Sequence, residues 1–206
     1  ARFDCTGAYL VEPFQVNTTD FNDLDSEVVI QGDSLLFAWQ SDSSAAPHNL
    51  DILLRAYSLD GEALTSADQV LETTRGGAPA PGNAWMPKVV SSTGGRVWLG
   101  GVRGLEEIDR FQIFLAPLGT DGATDGTAYD AAFEPGVTQS AVDVAQGPED
   151  GLYAVWTRED PEMKQVVLGR YDGSGMAVVA PVVLGDTSTG FASLAAAPDD
   201  GAVYAA

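Results

Sequence analysis

Basic residues, cysteine and histidine are all scarce in this chain. Ten lysines and arginines stand against thirty aspartates and glutamates over 206 residues, for a formal net charge of −20. So acidic a surface disfavours binding to nucleic acid or to anionic membranes, both of which need basic patches. It suits solubility, cation binding or a basic partner. Cys5 is the single cysteine, so an internal disulfide and a paired-thiol metal site are excluded. The single histidine, His48, cannot build a histidine-based metal site by itself and reads as a surface-loop residue. No apolar run approaches the roughly 18 residues of a membrane-spanning helix, and no long 3.6-residue apolar period is present. No signal peptide is visible, so residue 1 is expected to follow a removed leader or to lie inside a longer chain.

Turn residues and repetition are abundant. Residues 2–16 (RFDCTGAYLVEPFQV) match residues 170–184 (RYDGSGMAVVAPVVL), pairing Arg2 with Arg170, Phe3 with Tyr171, Asp4 with Asp172, Gly7 with Gly175 and Pro13 with Pro181. A third copy starts at Arg55 and a blurred fourth at Leu115. Alternating runs ending at or near Trp39, Trp98 and Trp156 keep the same beat, after turns such as Gly32-Asp33 and Gly94-Gly95. Such dipeptides between alternating runs are hairpin signals, because the turns need positive φ. One unit therefore reads strand, tight turn, strand, loop, strand, turn, strand. Four antiparallel strands in roughly 50–60 residues point to a β-propeller blade. The expectation is an all-β fold: a β-propeller, or a four-unit part of one, with four antiparallel strands per blade. It forms a single domain over 1–206, with units near 1–16 (partial), 17–74, 75–135, 136–186 and 187–206 (partial). A β-sandwich is the alternative, but it does not require repeating halves. A stop at Ala206 would leave an open sheet edge, so part of a longer propeller is expected rather than a closed ring with one thin blade.

The string RFDCTGAYLVEPFQVNTTD, followed by a strand ending FAWQSD, resembles the tandem repeats of large secreted bacterial propeller proteins. Those repeats run Arg-Phe-Asp-x-x-Gly, then Phe-Gln-Val-Asn-Thr-Thr, then a strand ending Val-x-Trp. The resemblance covers most of the chain and is strongest over 1–42 and 139–185. It implies the propeller fold and a bacterial, extracellular or periplasmic setting. It does not imply a function, since propellers host adhesion, lectin, scaffold and enzyme roles. Cys5 departs from the pattern, in a turn slot usually held by a small or polar residue.

No catalytic constellation emerges. Gly32-Asp33-Ser34-Leu35 spells the GDSL hydrolase block, but Ser34 runs into the strand LLFAW and no Asp-x-x-His supplies a base. Ser58-Leu59-Asp60-Gly61 approaches a sialidase Asp-box without its spacing or its tryptophan. Arg2, Arg55 and Arg170 read as equivalent repeat positions, one per blade, paired with acids across strands. No cofactor is expected; calcium is the ligand best suited to the chain, with Asp20, Asn22, Asp23 and Asp25 as candidate oxygen donors, against the leading reading of turn formation. Trp39, Trp98 and Trp156 read as packing between blades. Trp85 and Met86, in the Pro- and Gly-rich stretch 76–87, offer an aromatic face to a sugar or a partner. The charged stretch 103–110, with Arg103, Glu106 and Glu107, is the other candidate contact. The expected function is a non-catalytic extracellular or periplasmic scaffold module, not an enzyme. It would dock a protein partner through its loops, as an accessory subunit of a larger assembly. A glycan-binding propeller, or part of a larger enzyme such as a glycosidase, are the alternatives; no nucleic-acid partner and no membrane insertion are expected.

Overall fold

The computed structural model describes residues 1–18, 22–42, 50–71, 74–75, 78–79, 84–105, 110–119, 123, 128–131, 134–186, 193–196 and 203–205. Among these there is no helix. Strands β1 (Arg2–Phe3) and β2 (Tyr9–Val11) form a hairpin. Strands β3 (Asp23–Gln31), β4 (Ser34–Ser41), β5 (Asp51–Ser58) and β6 (Gln69–Val70) form the first four-stranded sheet. A short pair, β7 (Thr74–Arg75) and β8 (Ala78–Pro79), precedes the second: β9 (Ala84–Ser91), β10 (Val97–Leu105), β11 (Arg110–Leu118) and β12 (Tyr129–Asp130). The third is β13 (Thr138–Gln146), β14 (Leu152–Glu159), β15 (Lys164–Tyr171) and β16 (Val182–Asp186); β17 (Leu194–Ala196) and β18 (Val203–Ala205) close the order as a pair. Neighbours in each sheet are consecutive in sequence and antiparallel, so the all-β expectation with four strands per unit holds.

The three sheets stack face to face. One core cluster joins Leu36, Ala38, Ile52 and Leu54 of the first sheet to Val97, Leu99, Phe114 and Ala116 of the second. The other joins Trp98, Val102, Ile113 and Leu115 of the second to Val142, Val144, Ala154 and Trp156 of the third. Side chains alternate across a strand, so β10 and β11 bury both faces. That explains why they read as nearly continuous apolar runs. The first strands of successive sheets also touch: β3 packs on β9, β9 on β13, and β13 on β17. Gly100, on β10, permits a close approach of β13, because a Cβ there would lie 2.7 Å from Val144 Cγ1.

The repeated phrase is a repeated turn. Asp4 Oδ1 accepts the Thr6 hydroxyl and the Thr6 and Ala8 amides, and Asp172 Oδ1 accepts the Ser174 hydroxyl and the Ser174 and Met176 amides. The Thr6 and Ser174 hydroxyls, then those amides, hold both carboxyls below the usual carboxylate range. In the first sheet Ser58 Oγ plays this part for Asp60 and Glu62. Counted from these turns, Tyr57 matches Tyr171, and Arg55 falls one residue earlier than the place of Arg2 and Arg170. A one-residue offset turns a side chain to the other face. Arg55 is accordingly buried, donating to Asp68 Oδ1 at 3.2 Å and to the Val16 carbonyl at 3.1 Å, whereas Arg2 faces Asp60 at the surface at 3.9 Å. The expected equivalence of the three arginines is corrected to Arg2 and Arg170 alone. The Gly32-Asp33 turn and Ser34 form the β3–β4 hairpin, with Gly32 at φ +58, as the hairpin reading of that block requires.

Candidate functional site

Strands β3, β9 and β13 each break register once, near their N-terminal ends. Asp25-Ser26 stands opposite Trp39, Met86-Pro87 opposite Gly101, and Ala141-Val142 opposite Trp156. Two residues against one is a β-bulge, which bends the strand and re-aims the side chains beyond it. The leading residue of each pair is left-handed, with φ of +49° at Asp25, +55° at Met86 and +52° at Ala141. That conformation costs a non-glycine residue about 1–3 kcal/mol and tends to persist where function requires it. Its recurrence at one register point in three sheets makes it a property of the repeat. By the same register Trp39 and Trp156 are equivalent, and Trp98 is not; all three are buried.

The residue after each bulge is charged: Glu27, Lys88 and Asp143. With the bulge pairs and Ser193 they line a cavity of about 410 Å³ between the first strands. Lys88 Nζ donates to Glu27 Oε1, and both side chains are about one-third exposed. Asp143 is held at both oxygens, Oδ1 by its neighbour's amide (Val144, 2.9 Å) and Oδ2 by the amide of Leu194 (2.8 Å). The Met86 amide donates to Gln40 Oε1 at 3.2 Å, tying its bulge to the first sheet. Antiparallel pairing brings the β14–β15 turn to this same end. In that turn Asp160 Oδ1 accepts the Glu162 and Met163 amides, which lower its pKa. The arrangement offers carboxylates and one ammonium around a water-accessible hollow, groups that bind hydroxyls and move protons.

The residues singled out by sequence are dispersed differently. Trp85 and Met86 lie within β9, not in a loop. Trp85 is half-buried, edge-on to Phe111 at 5.0 Å between ring centroids, while Met86 lines the cavity. Arg103 is 1% exposed and ion-paired with Asp130 beneath the Phe114 ring, so it is an interior residue and not a loop contact. Glu106 and Glu107 lie outside the described residues, as do Asp20 and His48. Asn22 is exposed and its main-chain carbonyl accepts the Asp42 amide; Asp23 Oδ2 accepts from Asn17 Nδ2 at 2.6 Å, and Asp25 leads the β3 bulge. Among the described residues no group of three or more His, Cys, Asp or Glu could hold a metal ion. Glu27, Lys88 and Asp143 carry no signal in the sequence. Each is an ordinary polar residue in an alternating strand, and only the shared bulge brings them together.

No protein-family model matches the chain, and no curated protein matches it significantly. Solved structures do. An endo-arabinase from Bacteroides thetaiotaomicron superposes with a TM-score of 0.56 at 16% identity, over 96% of this chain and 73% of that one. An exo-β-1,3-galactanase from Phanerochaete chrysosporium gives 0.56 at 11%, over 94% and 43%. An N-acetylgalactosamine deacetylase from F. plautii gives 0.54 at 12%, over 91% and 63%. The chain thus spans less than two thirds of the latter two. At these identities the likeness is one of fold. It is a fold shared with glycan-processing enzymes, and it corrects two expectations: that the chain is a non-catalytic protein-docking scaffold, and that it is not an enzyme. The second rested on finding no catalytic set in the sequence, and the first on that together with the strong acidity and the incomplete ring expected of the repeats; charged residues that only the bulges bring together are invisible there as a group. Among the described residues no helix is long and apolar enough to cross a membrane.

Proposed function

We propose that the four-stranded sheets are successive blades of a β-propeller, and that the chain is the sugar-engaging part of a secreted glycoside hydrolase acting on neutral glycans. The observation that carries this reading is the cavity in which Glu27, Lys88 and Asp143 follow equivalent bulges. Glycosidic cleavage needs two carboxyl groups flanking the bond. One protonates the departing oxygen, and the other activates water or attacks the anomeric carbon. Glu27 and Asp143 are the pair proposed here, each oriented by a fixed donor, with Lys88 positioning Glu27. The net charge of −20 favours a neutral glycan, since a polyanionic sugar would be repelled both at a distance and at the cavity carboxylates. A polymeric glycan substrate fits an extracellular or periplasmic setting. The test is incubation with arabinan, β-1,3-galactan and a sulfated polysaccharide, followed by assay of new reducing ends. Release from a neutral polymer and none from the sulfated one is expected. Release from none of the neutral polymers would sink the reading.

A further inference from the structure

A second cavity, of about 500 Å³, lies on the other side of the β3 bulge. Asp25 and Ser26 border both hollows, so the bulge is the partition between them. Its wall combines the aromatic rings of Phe37 and Trp39 with Asn17 and Asp23. Two polar atoms here, Asp23 Oδ1 and the indole Nε1 of Trp39, are buried without a hydrogen-bond partner among the described residues. An unsatisfied buried acceptor destabilises the fold, and Asp23 is not free to turn away, because Asn17 Nδ2 grips its other oxygen at 2.6 Å. The indole N–H of Trp156, at the equivalent register point, is also unpartnered. There, however, the ring is enclosed by the second core cluster, while Trp39 opens onto a hollow.

An acceptor, a donor and flat apolar rings in one hollow match one ligand chemistry well. A sugar hydroxyl both donates and accepts, and the C–H face of the ring packs on aromatic side chains. We infer that this hollow is a second saccharide subsite, which holds a further unit of the glycan whose scissile part lies in the central cavity. The inference rests on the proposed glycan function. It makes the Asp25-Ser26 bulge the saddle over which an oligosaccharide passes.

The experiment is calorimetric titration of the whole chain with arabino- and β-1,3-galacto-oligosaccharides of increasing length. Wild-type affinity is expected to rise with length. Asp23→Asn and Trp39→Phe, which keep size and the aromatic face, should each lose about tenfold affinity for the longer oligomers while leaving the disaccharide within about twofold, about 1.4 and 0.4 kcal/mol respectively. Glu27→Gln should instead weaken every length. Unchanged affinity for the long oligomers in both variants, or length-independent binding by the wild type, would overturn the subsite alone. No binding of any oligosaccharide by the wild type would overturn the subsite together with the function it rests on. If Asp23→Asn does not fold, judged by its circular dichroism, Trp39→Phe decides alone.

Discussion

Glu27 and Asp143 occupy the same register point in two different sheets. Each is the first residue beyond a bulge, opposite Ala38 and Val155 respectively, and each borders the same cavity. Lys88 holds that point in the sheet between them, opposite Gly100. The site is therefore a consequence of the repeat: one backbone irregularity, copied three times, delivers three charged side chains to one place.

The bulge strain is testable at Ala141, whose φ is +52°. Glycine adopts that conformation without a Cβ clash, while a β-branched residue resists it strongly. Ala141→Gly is expected to leave stability unchanged or raise it by up to about 1 kcal/mol. Ala141→Val should lower it by about 1–3 kcal/mol. Chemical denaturation of both variants checks this; equal loss in both would mean that the left-handed conformation is not what the site requires.

Tyr57 and Tyr171 make the same kind of tie in two sheets. The Tyr57 hydroxyl donates to the Val16 carbonyl and that of Tyr171 to the Ala131 carbonyl, both at 2.7 Å. Burial pushes the Tyr171 phenol up from its ordinary value. Folding thus favours the neutral phenol. Its contribution is complete below the ordinary phenol pKa of about 10 and is lost as pH rises through the raised value. Tyr171→Phe should cost about 1 kcal/mol at pH 7 and should flatten the alkaline fall in stability expected of the wild type from about pH 10 upward. Denaturation curves at neutral and alkaline pH measure both effects.

The Arg103–Asp130 pair is interior, with the Arg103 side chain 1% exposed. Asp130→Ala takes this carboxylate away from a buried guanidinium, and a loss of about 3–5 kcal/mol is expected. Arg103→Met combined with Asp130→Ala should recover much of that loss, since the buried guanidinium is then removed along with its carboxylate. A double variant as unstable as the single one would mean that packing, and not charge, dominates there.

The strand and turn grammar was legible in the sequence because it is local. Gly32-Asp33 marks its hairpin, and the Asp4 and Asp172 turns repeat in side-chain bonds as they do in letters. What stayed hidden was register. Arg55 looks equivalent to Arg170 until the turns are aligned, and Trp98 looks equivalent to Trp156. Asp25, Met86 and Ala141 share a conformation but no side-chain chemistry, so nothing in their letters announces a bulge. Without the bulges, Glu27, Lys88 and Asp143 are three charges more than fifty residues apart on alternating strands. Arg103, conversely, reads as a loop charge because a charged stretch comes after it, yet its partner Asp130 lies on β12, the outermost strand of the same sheet.

The most direct test of the account is hydrolysis of a neutral polysaccharide by the wild type, Glu27→Gln and Asp143→Asn, measured as new reducing ends per unit time. The wild type should turn over, and each variant should lose about 10²–10⁴-fold in rate while remaining folded. Turnover in either variant close to that of the wild type would contradict the assignment of these two carboxylates and, with it, of the cavity between the bulged strands.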